Sequence, residues 1–107
     1  MTTEEERELY AELVLQCAES VPRGRATTYG AIADVVGERL GRGGPRLVGS
    51  VLAAHGGGVP WWRVVRADGR PARGLEETAL EHLRDEGAVL RGDRVDMRRS
   101  RWPASLS

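Results

Sequence analysis

The sequence lacks lysine, has a single cysteine and contains no long apolar run. One cysteine, Cys17, among 107 residues cannot form an internal disulfide, which favours a reducing compartment. No apolar stretch approaches the roughly 20 residues that span a bilayer, and no charged-then-apolar leader opens the chain. The two histidines and Cys17 show no metal-ligand spacing. We therefore expect a cytoplasmic protein without membrane association, metal or organic cofactor.

The charge is zero overall but unevenly distributed. All 16 basic residues are arginine, and 16 acidic residues balance them. Residues 1–20 hold six acidic residues against one arginine, whereas residues 21–75 hold nine arginines against three acidic residues. A basic excess in the middle of the chain suits a surface that binds a polyanion. Arginines scattered over a solvated surface would give the same counts, so charge alone leaves both interpretations open.

The length and the pattern of apolar residues predict one small domain over residues 1–107. Several segments with apolar residues at helical spacing are each followed by glycine or proline, which end helices. Cys17 lies on the apolar face of the first such segment and is expected to be a small buried side chain. We expect a mainly α fold with small β hairpins and a helix-turn-helix arrangement. Helices are predicted over residues 3–20, 29–36, 45–55 and 75–86, a strand over residues 62–65 and a hairpin over residues 89–97.

The third predicted helix has one face of unusually small side chains. Helical spacing places Arg46, Gly49, Ser50 and Ala53 on that face, and Val48, Val51, Leu52 and His55 on the opposite, core-side face. An exposed glycine costs a helix about 1 kcal/mol relative to alanine, so close approach of another surface would explain Gly49. A DNA minor groove about 6 Å wide is such a surface. Packing against another protein helix is the alternative.

Four ordered motifs carry a resemblance to a known family. They are Val21-Pro22-Arg23-Gly24, Thr27-Thr28-Tyr29-Gly30, Arg46-Leu47-Val48-Gly49 and Pro60-Trp61-Trp62-Arg63-Val64-Val65. Together they resemble the O6-alkylguanine DNA alkyltransferases, whose cysteine accepts the alkyl group from a damaged base. Trp61 stands at the position of that cysteine, and an indole cannot act as a thiolate does. The closing residues 86–102 are similar to those of the alkyltransferase-like proteins, in which another residue replaces the cysteine.

The resemblance implies a role for each matching residue. Arg46 matches an arginine finger that fills the base stack, and Tyr29 matches a tyrosine that crowds the 3′ phosphate and helps turn the nucleotide outward. The DNA-binding set is completed by Thr28, Gly49, Ser50 and Ala53. The expected lesion pocket comprises Tyr29, Val59, Pro60, Trp61, Trp62, Val64 and Arg73. Arg70 competes with Arg73 for contact with the alkylated base, and Trp61 has core filling as its alternative role.

Trp62 departs from the family pattern, which has a histidine at this position. A second bulky ring either changes the preferred alkyl size or partly closes the pocket, unless Trp62 points into the core. His55 is expected to make a structural hydrogen bond rather than to act in catalysis. His82 is expected to be an exposed residue without a partner.

The expected function is therefore recognition of O6-alkylguanine without repair. The protein would bind the minor groove as a monomer, flip the lesion into the pocket, and flag it for nucleotide excision repair proteins at the nucleoid. Its fold would be winged-helix-like, of the alkyltransferase C-terminal type. The alternatives are an active alkyltransferase using another nucleophile, with Cys17 as the only thiol, and a helix-turn-helix transcriptional regulator.

Overall fold

The structure, a computed structural model, describes residues 3–106. Helices dominate it, and the strands are two residues long. In chain order the elements are α1 (Thr3–Glu19), β1 (Thr27–Thr28), α2 (Tyr29–Leu40), α3 (Pro45–His55), β2 (Val64–Val65), α4 (Glu76–Asp85), β3 (Leu90–Arg91), β4 (Arg94–Val95) and α5 (Met97–Ser100). Among residues 3–106, no helix combines the length and the apolar character needed to cross a membrane.

The first three helices pack against one another around a shared apolar core. Val14, Ile32, Val36 and Val48 are completely buried there, and Cys17 lies among them as a buried free thiol. Each helix contributes the residues of one face, as its spacing predicts. This three-helix packing fixes the orientation of α3 and therefore decides which of its side chains reach solvent.

Helices α2 and α3 form the predicted helix-turn-helix, but α2 is longer than predicted. Its N-terminus is capped by Thr28, whose hydroxyl accepts the Ala31 N–H at 3.0 Å. The prediction that Gly37 ends the helix is wrong. The helix continues to Leu40, and Gly41 ends it in the left-handed conformation with φ of 70°, which glycine adopts without a steric penalty.

The strands differ from the prediction in two places. Strands β3 and β4 form the expected antiparallel hairpin, whereas β1 and β2 pair in parallel, with Thr27 opposite Val64. The strand predicted over residues 62–65 begins only at Val64, because a turn of 3₁₀-helix occupies Trp61–Arg63. The parallel pair brings the segment after α3 beside the start of α2.

A second, smaller core lies beneath α4. Ala26, Val65, Leu83 and Val95 are buried there. Residues from four separate parts of the chain meet in this cluster, so α4 and the terminal hairpin are fixed to the strand that leads into α2. The predicted α4 is confirmed with slightly shorter bounds, and α5 was not predicted.

Candidate nucleic-acid interface

The outward face of α3 has the composition that its spacing predicts. Arg46, Ser50 and Ala53 are exposed and Gly49 is half-buried, whereas Val48, Val51 and Leu52 are buried. His55, expected on the core side, is exposed instead, since α3 ends there, and its imidazole makes no hydrogen bond within residues 3–106. That expectation is therefore wrong.

Arg46 is free to contact a ligand. Its guanidinium has no ion-pair or hydrogen-bond partner in the part of the chain that the structure describes, and only its carbonyl is used, accepting the Ser50 hydroxyl at 3.1 Å. A Cβ placed on Gly49 would meet no atom within 4 Å. The lack of a side chain at Gly49 therefore serves no packing contact among residues 3–106.

A cleft of about 710 Å³ opens beside this face of α3. It brings together Tyr29, Trp61 and Arg73 of the predicted pocket with Arg46, Gly49 and Ala53 of the predicted DNA-binding set. The remaining lining residues are Leu52, Gly57, Arg66, Ala72 and Leu75. Two aromatic rings and several aliphatic side chains form the walls, and three arginines but no acidic residue line the cleft. Such a cleft suits a flat, apolar group attached to an anionic backbone.

Four of the expected pocket residues lie elsewhere. Val64 is 1% exposed because it pairs with Thr27 and packs into the helical core, and Val59 packs against the same core. Pro60, which precedes the 3₁₀ turn, and Trp62 do not line the cleft either. The predicted wall from residue 59 to 64 therefore contributes only Trp61.

Trp62 turns away from the cleft and packs against α4. Its ring stacks on His82, with centroids 3.9 Å apart and planes 11° apart, and its Nε1 donates to Glu86 Oε2 at 2.9 Å. The expectation that His82 is exposed without a partner is wrong for the same reason. Since Trp62 leaves the cleft open, partial closure by this ring is excluded.

Thr28 and Ser50, both expected to contact DNA, lie outside the cleft. Thr28 serves as the cap of α2, which fixes the helix on which Tyr29 is the first residue. Ser50 lines a separate cleft of about 280 Å³ between α1 and α3 rather than the one beside Trp61. Neither residue lines the 710 Å³ cleft.

Tyr29 and Arg66 meet at the cleft. Burial raises the pKa of the Tyr29 phenol, and the neighbouring Arg66 guanidinium partly opposes the rise. Arg66 Nε donates to the Pro71 carbonyl at 3.1 Å, which holds the side chain at this edge. Sequence reasoning did not find Arg66, although its place directly after a short strand was a usable signal.

Arg70 and Arg73, the two candidates for contact with the alkylated base, differ in whether they have ion-pair partners. Arg70 Nη1 lies 2.6 Å from Asp68 Oδ2, and its Nε lies 3.4 Å from Asp93 Oδ2. Arg73 lines the cleft and has no carboxylate partner within residues 3–106. The geometry therefore favours Arg73 over Arg70 as the ligand-contacting side chain.

A buried ion pair fixes the segment that carries Trp61. Arg63 Nη2 donates to Glu86 Oε2 at 2.6 Å, and the two side chains are only 12% and 4% exposed. Glu86 also accepts the Gly24 N–H at 3.1 Å, and Arg63 Nη1 donates to the Val21 carbonyl at 2.8 Å. The motif at residues 21–24, the motif at residues 60–65 and the end of α4 are therefore joined at one point.

The sole thiol is remote from this chemistry. Cys17 is completely buried in the helical core, and burial raises its pKa, which disfavours the thiolate. Within residues 3–106, no three His, Cys, Asp or Glu side chains come together as a metal site.

Most of the chain is similar to known proteins. Residues 10–88, a span that contains every residue lining the cleft, match the family model described as 6-O-methylguanine DNA methyltransferase, DNA binding domain. The chain is 31% identical over 105 residues to proteins named DNA base-flipping protein from Escherichia coli and Shigella flexneri, covering 92% of this chain and 78% of theirs.

Two crystal structures of DNA complexes share the fold. S. pombe Atl1 with damaged DNA containing O6-carboxymethylguanine superposes with a TM-score of 0.71 at 21% identity, covering 95% of this chain and 98% of that one. S. pombe ATL in complex with DNA gives a TM-score of 0.64 at 28% identity, covering 85% and 83%. The first likeness shows a shared fold, which is the predicted mainly helical, alkyltransferase-like one.

Proposed function

Because the chain belongs to the family of the 6-O-methylguanine DNA methyltransferase DNA-binding domain, we propose that it binds O6-alkylguanine in duplex DNA without transferring the alkyl group. The observation that carries the proposal is the 710 Å³ cleft beside α3, with Trp61 in its wall where the family's nucleophile would stand. The relatives named for base flipping and the neighbour bound to damaged DNA support the same conclusion.

Each step of recognition has a candidate residue. The α3 helix enters the minor groove, where its small side chains permit a close approach. Arg46 inserts into the base stack, and its planar guanidinium stacks there and donates hydrogen bonds to the base left without a partner. Tyr29 crowds the 3′ phosphate and favours rotation of the nucleotide into the cleft. Unstacking costs a few kcal/mol, and less for a base whose pairing alkylation has already weakened.

The cleft then holds the extrahelical base. Trp61 offers a flat apolar surface to the base or its alkyl group, and Arg73 donates hydrogen bonds to the purine edge. Arg66 adds a positive charge near Tyr29, which Glu76 Oε2 at 3.9 Å only partly balances, and attracts the adjacent phosphate. Since Cys17 is buried in the core, no thiolate reaches this cleft, and the complex persists instead of reacting. A persistent complex can act, as a monomer, as the signal that nucleotide excision repair proteins recognise.

The test is a titration with three duplexes that differ only at one base: guanine, O6-methylguanine or a bulkier O6-alkylguanine. We expect tighter binding to both adducts than to guanine. A fluorescent adenine analogue beside the lesion should brighten as the base unstacks, and this signal should be lost in Arg46→Ala. Equal affinity for all three duplexes would refute the proposal. Preference for one undamaged sequence would instead identify a transcriptional regulator.

The absence of alkyl transfer needs its own measurement. With a radiolabelled methyl group on O6-methylguanine, the label should stay in the DNA after prolonged incubation with excess protein. Label on the protein would show that it is an alkyltransferase. A Cys17→Ser variant that remained labelled would then show that the acceptor is not this thiol.

A further inference from the structure

Three aromatic rings form a cluster directly behind the cleft. The rings of Trp62 and His82 are stacked, and Trp61 meets this stack edge-on. The Trp61 ring centroid lies 5.7 Å from the Trp62 centroid, with an angle of 84° between the ring planes. It lies 6.2 Å from the His82 centroid, with an angle of 78°. Because the two stacked rings are nearly parallel, one indole can stand perpendicular to both. Edge-to-face contacts of this kind are favourable.

Helix α4 holds the stack in two ways. His82 lies in α4 and Glu86 is the residue that caps it in helical conformation, so these side chains, four positions apart, lie on the same side. The His82 ring covers the face of Trp62, and the Glu86 carboxylate accepts its Nε1–H at 2.9 Å. The Arg63 guanidinium lies 5.7 Å from the Trp62 centroid. One face and one edge of Trp62 are thus fixed, which leaves Trp61 as the ring of the three that reaches the cleft.

We propose that His82 is a positioning residue that sets the place of the Trp61 wall by holding Trp62 in its plane. His82 does not line the cleft and acts only through the other two rings. The inference rests on the proposed function, and it adds a specificity determinant. The distance between the Trp61 wall and the base decides how well a small O6 substituent is contacted, while a bulky one can fill a looser cleft.

The experiment uses three variants of His82 in the full chain. His82→Ala removes the ring, His82→Leu fills the space without an aromatic ring, and His82→Phe keeps a ring that can stack. Glu81→Ala is the matched control, since Glu81 is the exposed neighbour on α4 without a partner within residues 3–106. Each protein is titrated with the guanine, O6-methylguanine and bulkier O6-alkylguanine duplexes, and its thermal melt is recorded.

The expected result distinguishes the effect of an aromatic ring at position 82 from the effect of side-chain volume. His82→Ala and His82→Leu should weaken binding to the O6-methylguanine duplex by about three-fold to ten-fold, the size of one aromatic edge contact. Binding to the bulkier adduct should fall less, and binding to the guanine duplex should not change. His82→Phe and Glu81→Ala should match the parent. Circular dichroism adds a readout without DNA, since the exciton signal of the Trp61–Trp62 pair should weaken in the Ala and Leu variants alone.

Other outcomes would overturn the inference. Parent-like affinity and circular dichroism in His82→Ala would show that the imidazole positions nothing. Loss in His82→Phe as large as in His82→Ala would show that stacking is not the cause, and equal loss on guanine DNA would indicate a general effect on the fold. If the parent itself does not distinguish the duplexes, the proposed function fails, and the exciton signal still decides whether His82 positions Trp61.

Discussion

Replacing Glu86 with alanine should destabilise this protein more than any surface ion-pair change. The carboxylate is 4% exposed and accepts hydrogen bonds from Gly24 N, Trp62 Nε1, and Nε and Nη2 of Arg63 at 2.6–3.1 Å. Without it, a guanidinium only 12% exposed keeps a single carbonyl, that of Val21, as its partner. Removing one member of a buried ion pair costs about 3–5 kcal/mol. For a domain of this size, the melting temperature should fall by more than about 10 °C.

Chemical denaturation followed by circular dichroism measures this loss, and the chain supplies a matched control. The Arg70–Asp68 pair has the same 2.6 Å separation, but its side chains are 38% and 43% exposed. Asp68→Ala should therefore have a far smaller effect, since water and salt screen an exposed pair. Equal losses in Glu86→Ala and Asp68→Ala would refute the argument from burial. An Arg63→Met, Glu86→Leu double variant should be more stable than Glu86→Ala, because it leaves no unpaired buried charge.

The pH dependence gives the same reasoning a second test. Burial of Glu86 opposes its ionisation, but the hydrogen bonds from Arg63, Gly24 and Trp62 outweigh this and hold the pKa of Glu86 below its usual value. A lowered native pKa contributes stability above the unfolded pKa of about 4.3, and this contribution is lost as the pH falls through the native value. The stability difference between the parent and Glu86→Gln should thus be complete at neutral pH and shrink below about pH 4. A stability difference between the parent and Glu86→Gln that stays constant from neutral pH to below about pH 4 would contradict the lowered pKa of Glu86.

Arg46→Ala should weaken lesion binding several-fold without lowering the melting temperature, because the guanidinium is exposed and has no partner within residues 3–106; unchanged affinity in a fluorescence titration would remove the finger assignment. Tyr29→Phe should bind almost as the parent does and Tyr29→Ala much more weakly, since bulk against the phosphate matters more than the hydroxyl; the opposite order would exclude the steric account. Trp61→Cys should not accept a labelled methyl group, because Trp62 supplies no base at the neighbouring position; single-turnover transfer would contradict this. Gly43→Ala should cost more than about 1 kcal/mol, since its φ is 93° and the new Cβ would collide with the Tyr10 hydroxyl. Gly58→Ala, where φ is not positive and the new Cβ meets no atom within 4 Å, is its control in the same denaturation experiment.

Local signals in the sequence were sufficient for the helices that hold the site. Pro45 can begin a helix and Gly56 can follow one, and α3 runs between them as predicted. Gly37 gives the same stop signal inside α2, yet the helix passes through it and stops at Gly41. The difference lies in the conformation that each glycine adopts, which composition does not encode.

The arrangement of side chains around the cleft could not be predicted in full, because it depends on contacts between residues far apart in the sequence. The sequence predicts a strand from Trp62, but this residue lies in a 3₁₀ turn, where its ring stacks on His82 and its Nε1 donates to Glu86. The partners lie 20 and 24 positions further along the chain. Family motifs singled out Tyr29, Arg46 and Trp61, and these three residues line one cleft in the structure. They could not show that Val64 would be buried.

The burial of Cys17 has a consequence for a protein proposed to bind alkylated DNA. Electrophiles that alkylate guanine also attack accessible thiolates. This chain has one sulfhydryl, enclosed in the helical core and kept protonated by its surroundings. On the proposed function, electrophiles would therefore not inactivate the protein through this thiol while damage accumulates, and each molecule could bind one damaged site after another.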